Sequence, residues 1–116
     1  MPKTSKAIKH HEFLSLLGKS KQGKRRKMLL EAASSDEIRS IAECALNVLQ
    51  NRIRLSSSQK RKLKHHKDTL RYIAKRGTNI KKKRRILQQK GGFLTSLLPL
   101  AVSALSSIVP SLFGGQ

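Results

Sequence analysis

An all-α fold is predicted for this chain, a small bundle of four to five short basic helices followed by a hydrophobic, proline-interrupted C-terminal helix. Three observations carry that prediction. Apolar residues recur at three- and four-residue steps through the first 90 positions, and no segment alternates with the period of two that a half-buried strand requires. In addition, Ser34 and Ser56 each precede a Glu or Gln by three positions, the spacing of a capping box at a helix start.

Each element has its own local reason. Residues 5–17 collect Ile8, Phe13, Leu14, Leu16 and Leu17 behind Thr4 and Ser5, either of which can cap a helix, and Gly18 is placed to stop it. A second helix, from Lys21 to Ala33, begins as KQGKRRK and ends as MLLEAA, so its start is charged and its end can pack. The strongest pattern covers 36–50, where Ile38, Ile41, Ala42, Ala45, Val48 and Leu49 form one stripe behind the Ser34–Glu37 box. Ser56 and Gln59 repeat that box before a helix expected over 57–75, with Leu63, Leu70, Ile73 and Ala74 inward and Gly77 as a left-handed stop. Thr78 then introduces the last basic helix, NIKKKRRILQQK, with Ile80, Ile86 and Leu87 as its apolar contacts. A chain of this size has a thin core and sits near the lower limit of independent stability.

Charge is the dominant compositional fact. There are 26 Lys+Arg against 6 Asp+Glu, a formal net charge of +20, and a sequence pI near 11.3. Like charges at this density oppose compaction until a polyanion neutralises part of the surface, so a nucleic acid or an anionic membrane is the expected partner. Aromatics make up 3% and Trp is absent, which leaves little material for base-stacking platforms. The cations fall in runs: Lys24, Arg25, Arg26 and Lys27; then Lys60, Arg61, Lys62 and Lys64, with Lys67 and Arg71 further along; then Lys81, Lys82, Lys83, Arg84 and Arg85. Lys and Arg on helix faces, without aromatics between them, suit phosphate contacts that carry no sequence information.

The last 26 residues, 91–116, contain no Asp, Glu, Lys, Arg or His. The shift falls between Lys90 and Gly91, and the Gly91–Gly92 pair reads as a hinge, giving a basic module at 1–90 and an apolar tail at 91–116. Phe93, Leu94, Leu97, Leu98, Leu105, Ile108, Leu112 and Phe113 make the tail's apolar set, opposite a stripe of Ser and Pro, and are predicted to engage membrane. Pro99 and Pro110 are expected to bend or break that helix. The competing reading is that the tail packs on the thin core of the basic half.

Catalytic and metal chemistry find little support. Cys44 is the sole cysteine and lies three after Ile41 and four before Val48, a core position. His10-His11 and His65-His66 are adjacent pairs, without the three- or four-residue spacing that puts two ligands on one helix face. Gly18-Lys19-Ser20 ends like a phosphate-binding loop, but Phe13 stands where its first glycine belongs. Glu31, Asp36, Glu37 and Glu43 read as helix-start and surface partners of the cations. The expectation is therefore a protein that is not an enzyme and uses neither metal nor cofactor.

The runs HHEFLSLL, IAECALNVLQ, RLSSSQKRKLKHHKDTLRYIAKR and ILQQKGGFLTSLLPL, in this order and before an apolar end, resemble the virion core protein X family of adintoviruses and Maverick/Polinton elements. The layout is also similar to adenoviral minor proteins that pair basic DNA-binding segments with a membrane-disrupting amphipathic segment. This resemblance implies a structural virion protein that binds and condenses double-stranded DNA without sequence specificity, in the virion and, during assembly, in the host nucleus. It further implies viral capsid proteins and an adenovirus-type protease as partners. Leu112-Phe113-Gly114-Gly115 matches the cleavage pattern of that protease, making Gly115 one processing site. Gly92 is the second, although Gln89 stands in the aliphatic position there. The alternative expectation is a cationic membrane-active effector whose nucleic-acid binding is incidental.

Overall fold

The computed structural model describes residues 5–108, with side chains for 6–104. The described residues form α-helices only, joined by turns and one 3-10 segment: α1 (Ser5–Lys9), α2 (His11–Gly18), α3 (Gly23–Ala32), α4 (Ser35–Leu49), α5 (Ser57–Lys64), α6 (Lys67–Ala74), α7 (Ile80–Lys90), the 3-10 turn Gly91–Phe93, and α8 (Leu94–Ile108). Helix α4 is the hub, touching α1, α2, α6, α7 and α8, while α8 makes its most extensive contact with α2.

Both predicted capping boxes close. The Glu37 amide donates to Ser34 Oγ at 3.0 Å and the Ser34 amide donates to Glu37 Oε1 at 2.8 Å, while Ser56 and Gln59 make the same pair at 3.1 and 2.7 Å. Helix α4 ends on Asn51 at φ 57°, with the Arg52 amide donating to the Asn47 carbonyl (2.8 Å) and the Asn51 amide to Val48 (3.1 Å). That is a Schellman closure built on Asn where Gly is commoner. Gly77 takes the left-handed conformation at φ 82°, but it does so in the turn after α6 has already ended at Ala74 on an extended Lys75, and α7 is capped by Asn79, whose Oδ1 accepts from the Lys81 amide at 2.7 Å, rather than by Thr78.

Two expected long helices are each broken, and both breaks fall on a histidine pair. The 5–17 segment splits at His10 (φ −112°, ψ 27°), and the 57–75 segment splits at His65–His66, with His66 at φ −112°, ψ 16°. The basic half thus has more, shorter helices than the four to five expected. In an unbroken helix the stripe through Ala7 and Leu14 would run over His10 and His11, and the stripe through Leu63 and Leu70 would carry Lys67. Breaking the helix lets each apolar half dock separately, so that Ala7, Leu14, Leu63 and Leu70 are buried while Lys67 stays exposed. The His66 ring rests against Phe93, with centroids 5.5 Å apart.

The compositional boundary at Gly91 is not a packing boundary. One core joins Leu14, Leu17, Leu30, Ile38, Ile41, Cys44, Leu70, Ile73 and Leu87 of the basic half to Phe93, Leu94, Leu97, Leu98 and Ala101 beyond it. Gly91 and Gly92 are helical, not an open hinge. Gly91 is buried, and a Cβ there would stand 3.2 Å from Leu94 Cδ1 and 3.4 Å from Arg26 Nε, so its lack of a side chain serves close packing. Gly18 plays the same part for α2: a Cβ would lie 3.1 Å from Leu98 Cβ and 3.2 Å from Pro99 Cδ. Helix α8 continues through Pro99, whose exposed ring is seated beside Gly18, so of the expected bend or break no break occurs there. Pro110 lies outside the described residues. No helix among the described residues is long and apolar enough to cross a membrane.

Candidate nucleic-acid interface

The few carboxylates are committed to helix starts and inter-helix contacts. Glu43 of α4 accepts from the Lys6 amide (3.1 Å) and the Ala7 amide (3.3 Å), closing the start of α1. Glu37 completes its capping box, and Glu31 accepts from Gln88 Nε2 at 2.9 Å. Asp36, in the first turn of α4, draws in Lys6 and Arg39 at 3.6 Å and Lys9 at 3.8 Å. Lys6 above all, and Lys9 and Arg39 after it, hold the Asp36 carboxyl below its ordinary pKa. Asp68 reaches Arg71 at 4.0 Å across exposed surface, a contact of little energetic weight.

What remains is a large set of cations with no carboxylate partner among the described residues. Lys24, Arg25 and Lys27 on α3, Lys60, Arg61, Lys62 and Lys64 on α5, Lys67 on α6, and Lys81, Lys82 and Arg85 on α7 are all exposed. Arg71 is exposed as well, apart from its contact with Asp68.

Two of the runs are brought together by the fold. Arg84 Nη1 donates to the carbonyls of Leu30 and Ala33, each at 2.6 Å, at the C-terminal end of α3. One turn further along α7, Gln88 Nε2 donates to the Lys27 carbonyl at 3.3 Å, and Gly91 lies against Arg26. Helices α3 and α7 are therefore antiparallel neighbours, and residues more than 50 apart in sequence share one basic ridge. Eleven residues of α7 make that ridge roughly 16 Å long, enough to span several phosphates of a duplex. Helix α5 carries the second surface, seated on α8, and α6 continues it beside α4 and α7.

Three predicted phosphate-binding residues are not on the exposed surface. Arg84 closes α3, as above. Arg26 is half-buried, with Nη1 3.5 Å from the Ser20 carbonyl and Nε enclosed beside Gly91. Lys83 is buried, 6% exposed, and burial followed by the nearby Arg39 charge pushes its pKa below the ordinary lysine value. The reason is periodicity: Lys83 lies four before buried Leu87 and three after Ile80, Arg84 lies three before Leu87, and Arg26 lies four before buried Leu30. Read from the sequence, those offsets from apolar residues were the available signal. Conversely, exposed Lys75 and Arg76 in the α6–α7 turn belong to the basic surface although they stand outside the runs.

The four members of the predicted membrane-facing set whose side chains are described lie inside. Phe93, Leu94, Leu97 and Leu98 are at most 2% exposed, covered by the helices of the basic half, so in this conformation that face is closed to a bilayer. The backbone of α8 includes Leu105 and Ile108, whose side chains lie outside the described residues, as do Leu112, Phe113 and Gly115 altogether. Gly92 is exposed but sits in helical backbone between buried Gly91 and Phe93, so cleavage after it requires local unfolding. Cys44 is a core residue, its thiol pushed up to about 12 by burial. No group of three or more His, Cys, Asp or Glu placed to hold a metal occurs among the described residues. The chain matches no family model, no curated protein and no solved structure.

Proposed function

We propose that this protein is a non-enzymatic structural protein that binds and condenses double-stranded DNA without reading sequence, as a virion core protein does. The observation that carries the reading is the set of exposed, carboxylate-free cations on α3, α5, α6 and α7, displayed around a single apolar core. Such residues neutralise phosphates and release counterions, with no side-chain array for base edges. Exposed cations on the α3–α7 ridge and on α5 and α6 give the molecule many phosphate contacts, as a condensing protein requires. The resemblance to core proteins of adintoviruses and Maverick/Polinton elements supports the virion setting, with nuclear assembly, capsid proteins and an adenovirus-type protease as its companions.

Membrane engagement during entry is the second part of this reading, and the burial of Phe93, Leu94, Leu97 and Leu98 gives it a condition. Helix α8 must first leave α2 and α4. The alternative, a cationic membrane-active effector, needs the same release but no DNA.

Fluorescence anisotropy with unrelated duplexes of equal length tests the reading. Affinities should agree within a few-fold at matched salt and fall steeply as salt rises, with a log–log slope of about −0.9 for each phosphate neutralised. A strong preference for one sequence defeats it. Dye leakage from anionic liposomes by the full chain, measured with and without DNA, separates the core protein from the effector.

A further inference from the structure

We propose that the cavity between α1, α4 and the α6–α7 turn is a binding site for a phosphate-bearing polyanion, with Lys83 as its central ligand. The cavity has a volume of about 390 Å³, ample for a small ligand. Its charged walls are Lys6 of α1, Arg39 of α4, Lys75 and Arg76 of the turn, and Lys83 of α7. The single acid on its lining is Glu43, whose carboxylate is occupied by the Lys6 and Ala7 amides.

Lys83 is the residue that needs explaining. Its stem is covered by the surrounding helices, while its ammonium, which is not enclosed, has neither a hydrogen bond nor a carboxylate partner among the described residues. Its electrostatic neighbour is another cation, Arg39. Partial desolvation of that ammonium is costly, and a like charge beside it adds to the cost. An anion in the cavity removes both costs at once, because it supplies the missing partner to Lys83 and screens it from Arg39. Burial and Arg39 both depress the Lys83 pKa, and a bound anion reverses that shift.

The surroundings favour phosphate over a simple carboxylate. Arg76 offers a planar fork suited to phosphate oxygens, Arg39 a second that already shares Asp36 with Lys6 at 3.6 Å, Lys75 adds a point charge, and Thr78 and the first turn of α7 border the same space. The volume exceeds the need of one ion, so the ligand carries more than one phosphate. Two sources share this chemistry: a free oligophosphate, and consecutive phosphates of a nucleic-acid backbone. The inference rests on the cavity and Lys83, and holds whether or not the exposed ridges bind DNA.

Calorimetric titration of the full chain with inorganic tripolyphosphate, at constant ionic strength, tests it. The decisive comparison is Lys83→Met against Lys82→Met. Both remove one charge from α7, but Lys82 is exposed beside the cavity's buried lysine. Saturable one-site binding is expected, weakened about tenfold or more by Lys83→Met and changed less than about twofold by Lys82→Met. Thermal melts confirm that Lys83→Met folds, and Arg39→Gln, at a site whose side chain is 48% exposed, gives an independent loss. Equal effects of the two α7 variants, or no saturable binding, overturn the proposal. Competition by a short duplex assigns the natural source to a nucleic-acid backbone, and its failure to compete assigns it to a free oligophosphate. Duplex affinity without Lys83-dependent tripolyphosphate binding removes the pocket and leaves the DNA reading, whereas the opposite result removes the DNA reading and keeps the pocket.

Discussion

Helices α5 and α7 carry similar basic runs and use them differently. On α5, Lys60, Arg61, Lys62 and Lys64 surround the single buried Leu63, and all four face solvent. On α7, Lys81, Lys82 and Arg85 are exposed, but Lys83 is buried and Arg84 is turned onto the carbonyls of α3. The difference follows from what each helix packs. One buried leucine demands a narrow contact, whereas Ile80 and Leu87 span two turns and commit the positions between them to the inward face. A run of cations is therefore one object in a sequence and two in a structure: the part that repels its neighbours into solvent and the part that holds them.

The largest expected effect exploits the exposed run. Replacing Lys60, Arg61 and Lys62 together by Gln should weaken duplex binding by about 100-fold near physiological salt and make the salt slope shallower by about 3, with the melting temperature nearly unchanged. A fall in stability instead would mean that α5 and α7 are alike after all. The structural half of α7 predicts the reverse pattern. Arg84→Gln should cost about 2 kcal/mol of stability in urea unfolding, through the loss of charge-assisted bonds to Leu30 and Ala33, and much less in DNA affinity than the α5 triple variant.

Smaller effects sharpen the same contrast between hub and periphery. Ser34→Ala and Ser56→Ala remove equivalent caps, each worth about 1 kcal/mol. The Ser34 variant should be felt by the whole domain in denaturant unfolding, because α4 touches most other helices, while the Ser56 variant should mainly increase amide exchange in α5. Gly92→Ala is the mildest: a Cβ there meets nothing within 4 Å, so the variant should be stabilising by about 0.5 kcal/mol. Destabilisation by this change would restore Gly91–Gly92 as a hinge.

Much of the fold was legible because it is local. The capping boxes at Ser34 and Ser56 and the stripe from Ile38 to Leu49 are set by neighbours within four residues, and they appear as read. The breaks at His10 and His66 were not, since each depends on where distant helices leave room for Ala7, Leu14, Leu63 and Leu70. The same holds for the site. Runs of cations identify a basic surface, and the offsets of Arg26, Lys83 and Arg84 from buried leucines set them apart, but where each side chain goes depends on how α7 packs on α3 and α4. The apolar face of α8 had two possible covers, lipid or the chain's own core, and hydropathy alone weighs them equally.

The seat of α8 on α2 has a consequence for how the molecule responds to its surroundings. Where Gly18 meets Leu98 and Pro99 no charged atom takes part, and residues 94–108 contain no ionisable side chain. Ionic strength, which would govern the grip of the outer lysines and arginines on the proposed polyanion, therefore has no Coulombic handle on this helix. Under the proposed DNA-binding role, rising salt is expected to strip the duplex and leave the seat intact, and a strongly excluded salt such as sulfate to tighten it. Detergent or a lipid surface acts in the opposite sense, competing for the helix and sparing the charges. If both proposed roles hold, DNA release and helix release answer to separate stimuli, and one can be brought about without the other.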